Sequence, residues 1–294
     1  MAHRLFIVDV FAEARYAGNQ LAVIVDAGDL TTAEMQQIAR ETNFSETTFL
    51  TSTAPHDGGY AVRIFTPGAE LPFAGHPTLG TAWVIRNFVA SPPPSEVTLQ
   101  LGVGPTPVRF APRPDGAELA WMRPRYPTFG RRFDRAPFAE LLGLEPDDCD
   151  PRFPVEEVSI GVDFTFVPLK TLAAVRRARF RMDRYEQLAG LGLPPAIFLF
   201  CPEAESPAHQ IHARMFAGAL GVGEDPATGS ANAGLAAWIL RHGYLEGDSL
   251  DVRVEQGYEI GRPSLLYLRA ERRGEQAEIE VGGRVLLSLT GELV

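Results

Sequence analysis

The sequence predicts an α+β fold in two pseudo-symmetric lobes, each wrapping antiparallel strands around one apolar helix. Three observations lead there. Alternation of apolar and polar residues, the pattern of half-buried strands, dominates the chain. Two segments that are apolar nearly all round interrupt it, HPTLGTAWVIRNF from His76 and SANAGLAAWILRH from Ser230. A helix without a polar face is usually buried on all sides. Each of these segments opens on the same turn: ELPFAGHPTLGTA, Glu70 to Ala82, returns as EDPATGSANAGLA, Glu224 to Ala236. Both copies read Glu-x-Pro-x-x-Gly, then one polar residue (His76 or Ser230), then Gly80 or Gly234, then Ala82 or Ala236.

The first half reads as strands at 4–11, 21–26, 47–52, 60–66, 97–101 and 117–123. A helix is expected over TTAEMQQIARETN, where Thr31 and Glu34 stand at capping-box spacing. The apolar helix follows, with Pro77 in its first turn. In the second half SIGVDFTFVPL (159–169) reads as one strand, RMDRYEQLAGL (181–191) as a helix, and 196–201 and 209–216 as strands. After the second apolar helix come strands at LDVRVEQ, SLLYLRAE, AEIEV and RVLLSLT, with Gly282-Gly283 as a two-residue hairpin signal between the last two. PRYPTFGRRFDRAP (124–137) is the candidate link between the lobes.

Anchors match between the halves in order: Gly18 with Gly161, Met35 with Tyr185, Phe49 with Phe198, Arg63 with Arg214, Gly75 with Gly229. Their offsets of 143, 150, 149, 151 and 154 are nearly constant, which argues for a duplication rather than a chance motif. A pseudo-twofold would bring both glycine turns to a cleft between the lobes. Two helix amino termini facing one cleft supply converging N–H donors and positive dipole ends, which suit a carboxylate.

Composition sets limits on function. A net charge of −10 argues against nucleic acid or an anionic membrane as the main partner. Two cysteines, Cys149 and Cys201, are too few for a disulfide framework or a thiolate metal site, and read as small buried apolar residues. The start of the chain lacks a signal-like apolar run, and no window reaches the length of a transmembrane helix, so a cytoplasmic protein is expected.

Chemistry is expected where the two turns differ. The first offers His76, the second Asp225 and Ser230, and Glu46 of NFSETTF stands at the start of a strand. A glutamate, a histidine, an aspartate and a serine around an anion clamp make a proton-transfer set. Each also has a plainer reading. Glu46 reads as a turn residue bonded to a nearby amide, Ser230 and His76 as local caps, and Asp225 as a helix cap, for which it stands a few residues early. His209 and His212 have a spacing that metals use. In a strand, however, residues three apart face opposite sides, so no metal site is expected. Gly221-x-Gly223 is a fragment of a dinucleotide fingerprint without its third glycine.

The stretches GNQLAVIVDAGDLTTAEMQQIARETNFSETTFL, FTPGAELPFAGHPTLGTA and GEDPATGSANAGLAAWIL together resemble the phenazine biosynthesis PhzF-like family, over nearly the whole chain. The resemblance implies the diaminopimelate epimerase fold: two similar lobes, each a curled antiparallel sheet, a half-open barrel, around a central helix, with the active site between them. The lobes are then expected at 1–125, completed by a strand at about 284–294, and at 126–283. Diaminopimelate epimerase itself works with one cysteine per lobe at these turns. Here Ala74 precedes Gly75 and the second turn reads DPATGS, which excludes a two-thiol racemase or epimerase.

In PhzF-like enzymes a glutamate moves the proton, and the resemblance assigns that role to Glu46, with His76, Asp225 and Ser230 around the substrate. It implies catalytic Glu46, His76 and Asp225, and a substrate carboxylate held by Gly75, His76, Gly229 and Ser230, with Asp225 on an amine or hydroxyl. The family's defining member isomerises trans-2,3-dihydro-3-hydroxyanthranilate without metal or cofactor, so none is expected here. A small-molecule carboxylate substrate and a homodimer are implied as well. The competing readings are a binding protein that keeps the carboxylate clamp to sense a metabolite, and a racemase or epimerase on the same fold, against which the absence of both thiols counts strongly.

Overall fold

The computed structural model describes residues 2–113, 115–188, 192, 196–218 and 222–294. Gly221 and the last three residues of the helix expected over 181–191 lie outside them. The chain divides into two units, residues 1–123 with 282–294, and residues 124–281.

In the first unit β1 (His3–Val10) pairs antiparallel with β2 (Asn19–Val25). The chain crosses over through α1 (Thr32–Thr42), so that β3 (Glu46–Leu50) lies parallel to β2 with Glu46 opposite Leu21. The crossover helix starts as the spacing predicts: the Thr31 hydroxyl accepts from the Glu34 N–H at 3.3 Å and the Glu34 carboxylate accepts from the Thr31 N–H at 2.7 Å. β4 (Tyr60–Phe65) is antiparallel to β3 and pairs at its far end with the short β5 (Glu70–Leu71). Helix α2 (Gly75–Phe88) then returns the chain to β6 (Glu96–Leu101), parallel to β4, and β7 (Gly104–Pro112) and β8 (Glu118–Met122) follow as an antiparallel meander. The sheet curls around α2, which touches β1, β2, β3, β6, β7 and β8. Its residues Gly75 to Ala82 are all buried, as an apolar helix requires.

The second unit repeats this order strand for strand. β9 (Thr128–Phe133) pairs antiparallel with β10 (Val155–Ser159), and β10 with β11 (Asp163–Pro168). β11 runs parallel to β12 (Ala196–Cys201), as β2 does to β3. β13 (Ile211–Ala217) is antiparallel to β12 and to the short β14 (Val222–Asp225), and parallel to β15 (Ser249–Gln256). The register repeats too. Tyr60 and Ala61 face Leu99 and Gln100 in the first unit, and Ile211 and His212 face Val254 and Glu255 in the second. β16 (Ser264–Arg273) and β17 (Gln276–Gly283) follow, and β18 (Val285–Leu293) pairs along β1, as β9 does along β10. Short helices α3 (Arg135–Leu141), α4 (Leu172–Arg177) and α5 (Met182–Leu188) belong to the second unit. The counterpart of α2 is α6 (Gly229–His242), buried from Ala231 to Leu240 and packed on β15 and β16.

The repeated glycine five positions into each helix has a packing cause. A Cβ on Gly80 would lie 2.6 Å from Leu21 and 2.9 Å from Val10, and one on Gly234 would lie 3.0 Å from Phe166 and 3.2 Å from Val158. These are corresponding strands of the two units. Each helix approaches its sheet so closely that even one methyl group crowds the contact.

Four readings change. Residues 159–169 form two strands, because Gly161 takes φ +86° and turns the chain between β10 and β11. Gly282 and Gly283 lie inside β17 and neither has a positive φ, so they make no two-residue hairpin. Both are strand glycines where side chains approach closely, Trp121 at 2.5 Å from the position of a Cβ on Gly282 and Phe11 against that of a Cβ on Gly283. The expected link 124–137 is mostly β9 and the start of α3. β7 went unread because Pro105, Pro107 and Pro112 demote it; two of these three fall where β8 does not reach, so their missing N–H groups cost no ladder bond there.

Both cysteines are buried and free, and burial pushes their thiols up to about 11 and about 12. They are thiols at neutral pH, packed as small apolar residues. Among the described residues no helix is long and apolar enough to cross a membrane.

Candidate functional site

In the first unit the parallel pairing of β2 with β3 sets Glu46 at the strand's first position, and α2 carries His76 in its opening turn. The His76 Nε2 lies 3.5 Å from the Glu46 Oε2, with side-chain exposures of 6% and 16%. Burial pushes the His76 imidazole down to about 3, although a hydrogen bond to the Gln20 backbone pulls the other way. The ring is therefore neutral at ordinary pH. Its Nε2 has no hydrogen-bond partner among the described residues, so the bond to Gln20 belongs to Nδ1. A hydrogen bond that favours the charged ring is one in which the ring donates, so Nδ1 carries the proton and the Gln20 carbonyl accepts. Nε2 then presents a lone pair toward the Glu46 carboxyl group.

α2 begins without a side-chain cap: its N-cap residue is Ala74, and Pro77 in the first turn has no N–H. The first-turn donors are thus the backbone N–H groups of Gly75 and His76, which can serve an anion. α6 likewise has no side-chain cap bond from its N-cap residue Thr228, and Gly229 and Ser230 open it. Thr228 is engaged elsewhere. Its hydroxyl donates to the Asp225 Oδ2 at 2.5 Å, and its N–H donates to the Gln256 Oε1 at 3.2 Å. Asp225, 8% exposed at the end of β14, is accordingly not the helix cap of the plainer reading.

The remaining shared residue of the turn is its glutamate. Glu70 accepts two 2.7 Å hydrogen bonds from Arg63 of β4, and Glu224 accepts bonds of 2.8 and 2.7 Å from Arg214 of β13. The same bidentate pair thus ties the entry of each turn to the corresponding strand. Sequence comparison marked Arg63 with Arg214, and Glu70 with Glu224, without joining them.

His209 and His212 face the same carboxylate, contrary to the strand argument. His209 precedes β13 and reaches the Glu255 Oε1 at 2.7 Å, while His212 reaches the Oε2 at 2.9 Å and Glu259 at 3.0 Å. The pattern is a buried ion cluster beside the turn. Sequence reasoning also passed over Gln256 and Asn232, both fully buried, which contact Thr228. Setting the two copies side by side would have shown them, since their counterparts are Leu101 and Thr78.

The PhzC-PhzF family model, phenazine biosynthesis-like protein, matches residues 8–291. The chain belongs to the PhzF-like family. A trans-2,3-dihydro-3-hydroxyanthranilate isomerase of Pseudomonas fluorescens is 36% identical over 297 residues, 99% of each chain. A PhzF family protein of Bacillus anthracis superposes with a TM-score of 0.90 at 26% identity, over 100% of this chain and 99% of that one. A probable proline racemase of Agrobacterium radiobacter K84, 12% identical with a TM-score of 0.63 over 99% of this chain and 93% of that one, shares the fold alone. PhzF-like membership, end-to-end isomerase relatives and the curled sheets agree: the protein is an isomerase with a diaminopimelate epimerase-like fold.

Proposed function

We propose that this PhzF-like isomerase moves a proton on a small cyclic or amino carboxylate, without metal or cofactor, with Glu46 as the proton carrier. The contact between Glu46 and the neutral His76 carries the reading, because the ring adds no charge and leaves a carboxylate beside it able to take one proton and give it back. Glu46 starts as the carboxylate, takes a proton from one carbon of the substrate and, as the carboxylic acid with its hydrogen turned toward the neutral His76 Nε2, returns that proton to another carbon. The backbone N–H groups of Gly75, His76, Gly229 and Ser230 bind the substrate carboxylate, and Asp225 binds its amine or hydroxyl. Uncapped first turns and a recessed proton-carrying pair support these assignments. A cytoplasmic location is part of the same reading, and the family resemblance carries a homodimer, checked by light scattering on the purified protein.

The deciding experiment follows turnover of trans-2,3-dihydro-3-hydroxyanthranilate, the substrate in the relative's name, in deuterated water. Wild type is expected to place solvent deuterium in the product, and Glu46→Gln to lose about 10²–10⁴-fold in rate. A Glu46→Gln enzyme as fast as wild type would remove Glu46 from the mechanism. Binding of the compound by wild type with no deuterium entering it would favour the sensor reading.

A further inference from the structure

The turn before α6 is braced by a set of buried amides whose hydrogen-bond polarity can be read without ambiguity. Gln256, the last residue of β15, is fully buried and faces two backbone groups of the turn. The Thr228 N–H can only donate, so the Gln256 atom 3.2 Å from it is the carbonyl oxygen. The Asp225 carbonyl can only accept, so the atom 2.9 Å from it is the amide nitrogen. The same argument orients Asn232, whose Nδ2 donates to the Thr228 carbonyl at 3.0 Å and to the Gln256 Oε1 at 3.0 Å. One hydrogen remains to be placed. The Gln256 Nε2 donates to the Thr228 Oγ1 at 3.0 Å, so the hydroxyl's own hydrogen points at the Asp225 Oδ2, 2.5 Å away.

We propose that Asn232, Gln256 and Thr228 form a one-way hydrogen-bond relay that holds Asp225 as a carboxylate, with Oδ2 as a fixed acceptor, and sets its position for the substrate. Every donor in the series runs toward Asp225, and its direction is imposed at three points by backbone groups that cannot reverse. A protonated Oδ2 would put two hydrogens between the same pair of oxygens, so the relay favours the ionised acid. The three residues are positioning residues. They act through Asp225, and they touch the turn rather than any reacting atom.

The duplication supplies an internal control. In the first unit the places of Asp225, Thr228, Asn232 and Gln256 are taken by Leu71, Ala74, Thr78 and Leu101. Thr78 there bonds only its own helix, donating to the Ala74 carbonyl at 2.7 Å. The relay is present in the unit whose turn carries an acid, and its places are mostly apolar in the unit whose turn does not. Backbone support common to both units is a separate matter. Gly102 and Gly257 both pass so close to the turn's proline that a Cβ would lie 2.9 Å from Pro72 in one unit and 2.6 Å from the Pro226 carbonyl in the other.

Several charged groups on the neighbouring strands pair with one another. Arg214 of β13 holds Glu224 of β14, and Glu255 of β15 holds His209 and His212, with Glu259 on the far side of His212. None of these pairs includes Thr228, so the hydroxyl's contribution can be separated from theirs.

The test needs no substrate, so it stands apart from the isomerase reading on which the relay's part in turnover rests. The protein is labelled with aspartate carrying ¹³C at the side-chain carboxyl carbon, the Asp225 signal is assigned by its loss in Asp225→Asn, and its shift is followed against pH. Thr228→Val is expected to raise the Asp225 midpoint by about one pH unit, because a hydrogen bond to the charged form has been removed. Thr228→Ser, which keeps the hydroxyl, is expected to leave it in place. An unmoved midpoint in Thr228→Val, or an equal rise in Thr228→Ser, would overturn the relay. If Thr228→Val does not fold, Thr228→Ala replaces it, since that change removes the same hydroxyl without adding a charge or a branched side chain. Its expected result is the same upward movement, and an unmoved midpoint overturns the proposal.

Discussion

Arg63 and Arg214 hold their glutamates with the same two hydrogen bonds, yet the surroundings differ. The Arg63–Glu70 side chains are 30% and 42% exposed, whereas those of Arg214 and Glu224 are 4% and 8% exposed. Removing one partner of an exposed pair costs roughly 0–1 kcal/mol, but removing one partner of a buried pair strands a charge and costs about 3–5 kcal/mol. Arg63→Ala should therefore leave the urea midpoint nearly unchanged, and Arg214→Ala should lower it strongly. Equal losses would mean that both pairs are equally solvated in solution. At this scale the candidate residues were legible as types and positions. Glu46, His76 and Asp225 stand out because the repeat differs there or the family motif includes them. What His76 does is not legible, since its tautomer depends on the carbonyl of Gln20, on a strand that is distant in sequence.

The elements follow largely from local pattern. α1 begins where Thr31 and Glu34 place it, and α2 and α6 are buried as their lack of a polar face requires. The misses have local causes as well: prolines hid β7, and Gly161 broke one expected strand into two. Why glycine recurs inside both apolar helices could be read only from the packed structure. Alanine at Gly80 gains about 1 kcal/mol of helix propensity but meets Leu21 at 2.6 Å, and crowding a well-packed core costs about 1–3 kcal/mol. At Gly234 the nearest contact is 3.0 Å, where a small movement of Phe166 relieves it. Gly80→Ala is expected to destabilise the protein more than Gly234→Ala in urea unfolding. The reverse order would show that the helix in the second unit is the more tightly held.

At the scale of the whole molecule, stability should depend on pH through the buried cluster at His212. Burial disfavours the charged imidazole, but the hydrogen bonds to Glu255 and Glu259 outweigh it and raise His212 to about 9. Burial likewise opposes the Glu255 charge, and bonds from His212, the Glu205 N–H, His209 and the Ser206 N–H lower it to about 2. A group raised on folding contributes its full stability below its unfolded value and loses it as pH climbs through the folded one. The His212 contribution is therefore complete below about 6.5 and fades as pH rises through about 9. Glu255 is the opposite case, contributing above about 4.5 and losing its share as pH falls toward about 2. Urea midpoints measured from pH 6 to 10 should fall along an alkaline limb worth on the order of 3 kcal/mol, and His212→Gln should flatten it. A limb that survives in His212→Gln would assign the loss to another group. The amino-acid sequence by itself determined the two-lobed duplication, the apolar helices and the residue types at each turn, because periodicity and repeated spacing are local properties of the chain. Tertiary structure alone decided which buried polar groups meet. Asp225, Thr228, Asn232 and Gln256 come together through the register of β13 with β15, and His209 with His212 through a shared carboxylate, and hydrogen-bond direction exists only once those partners are in place.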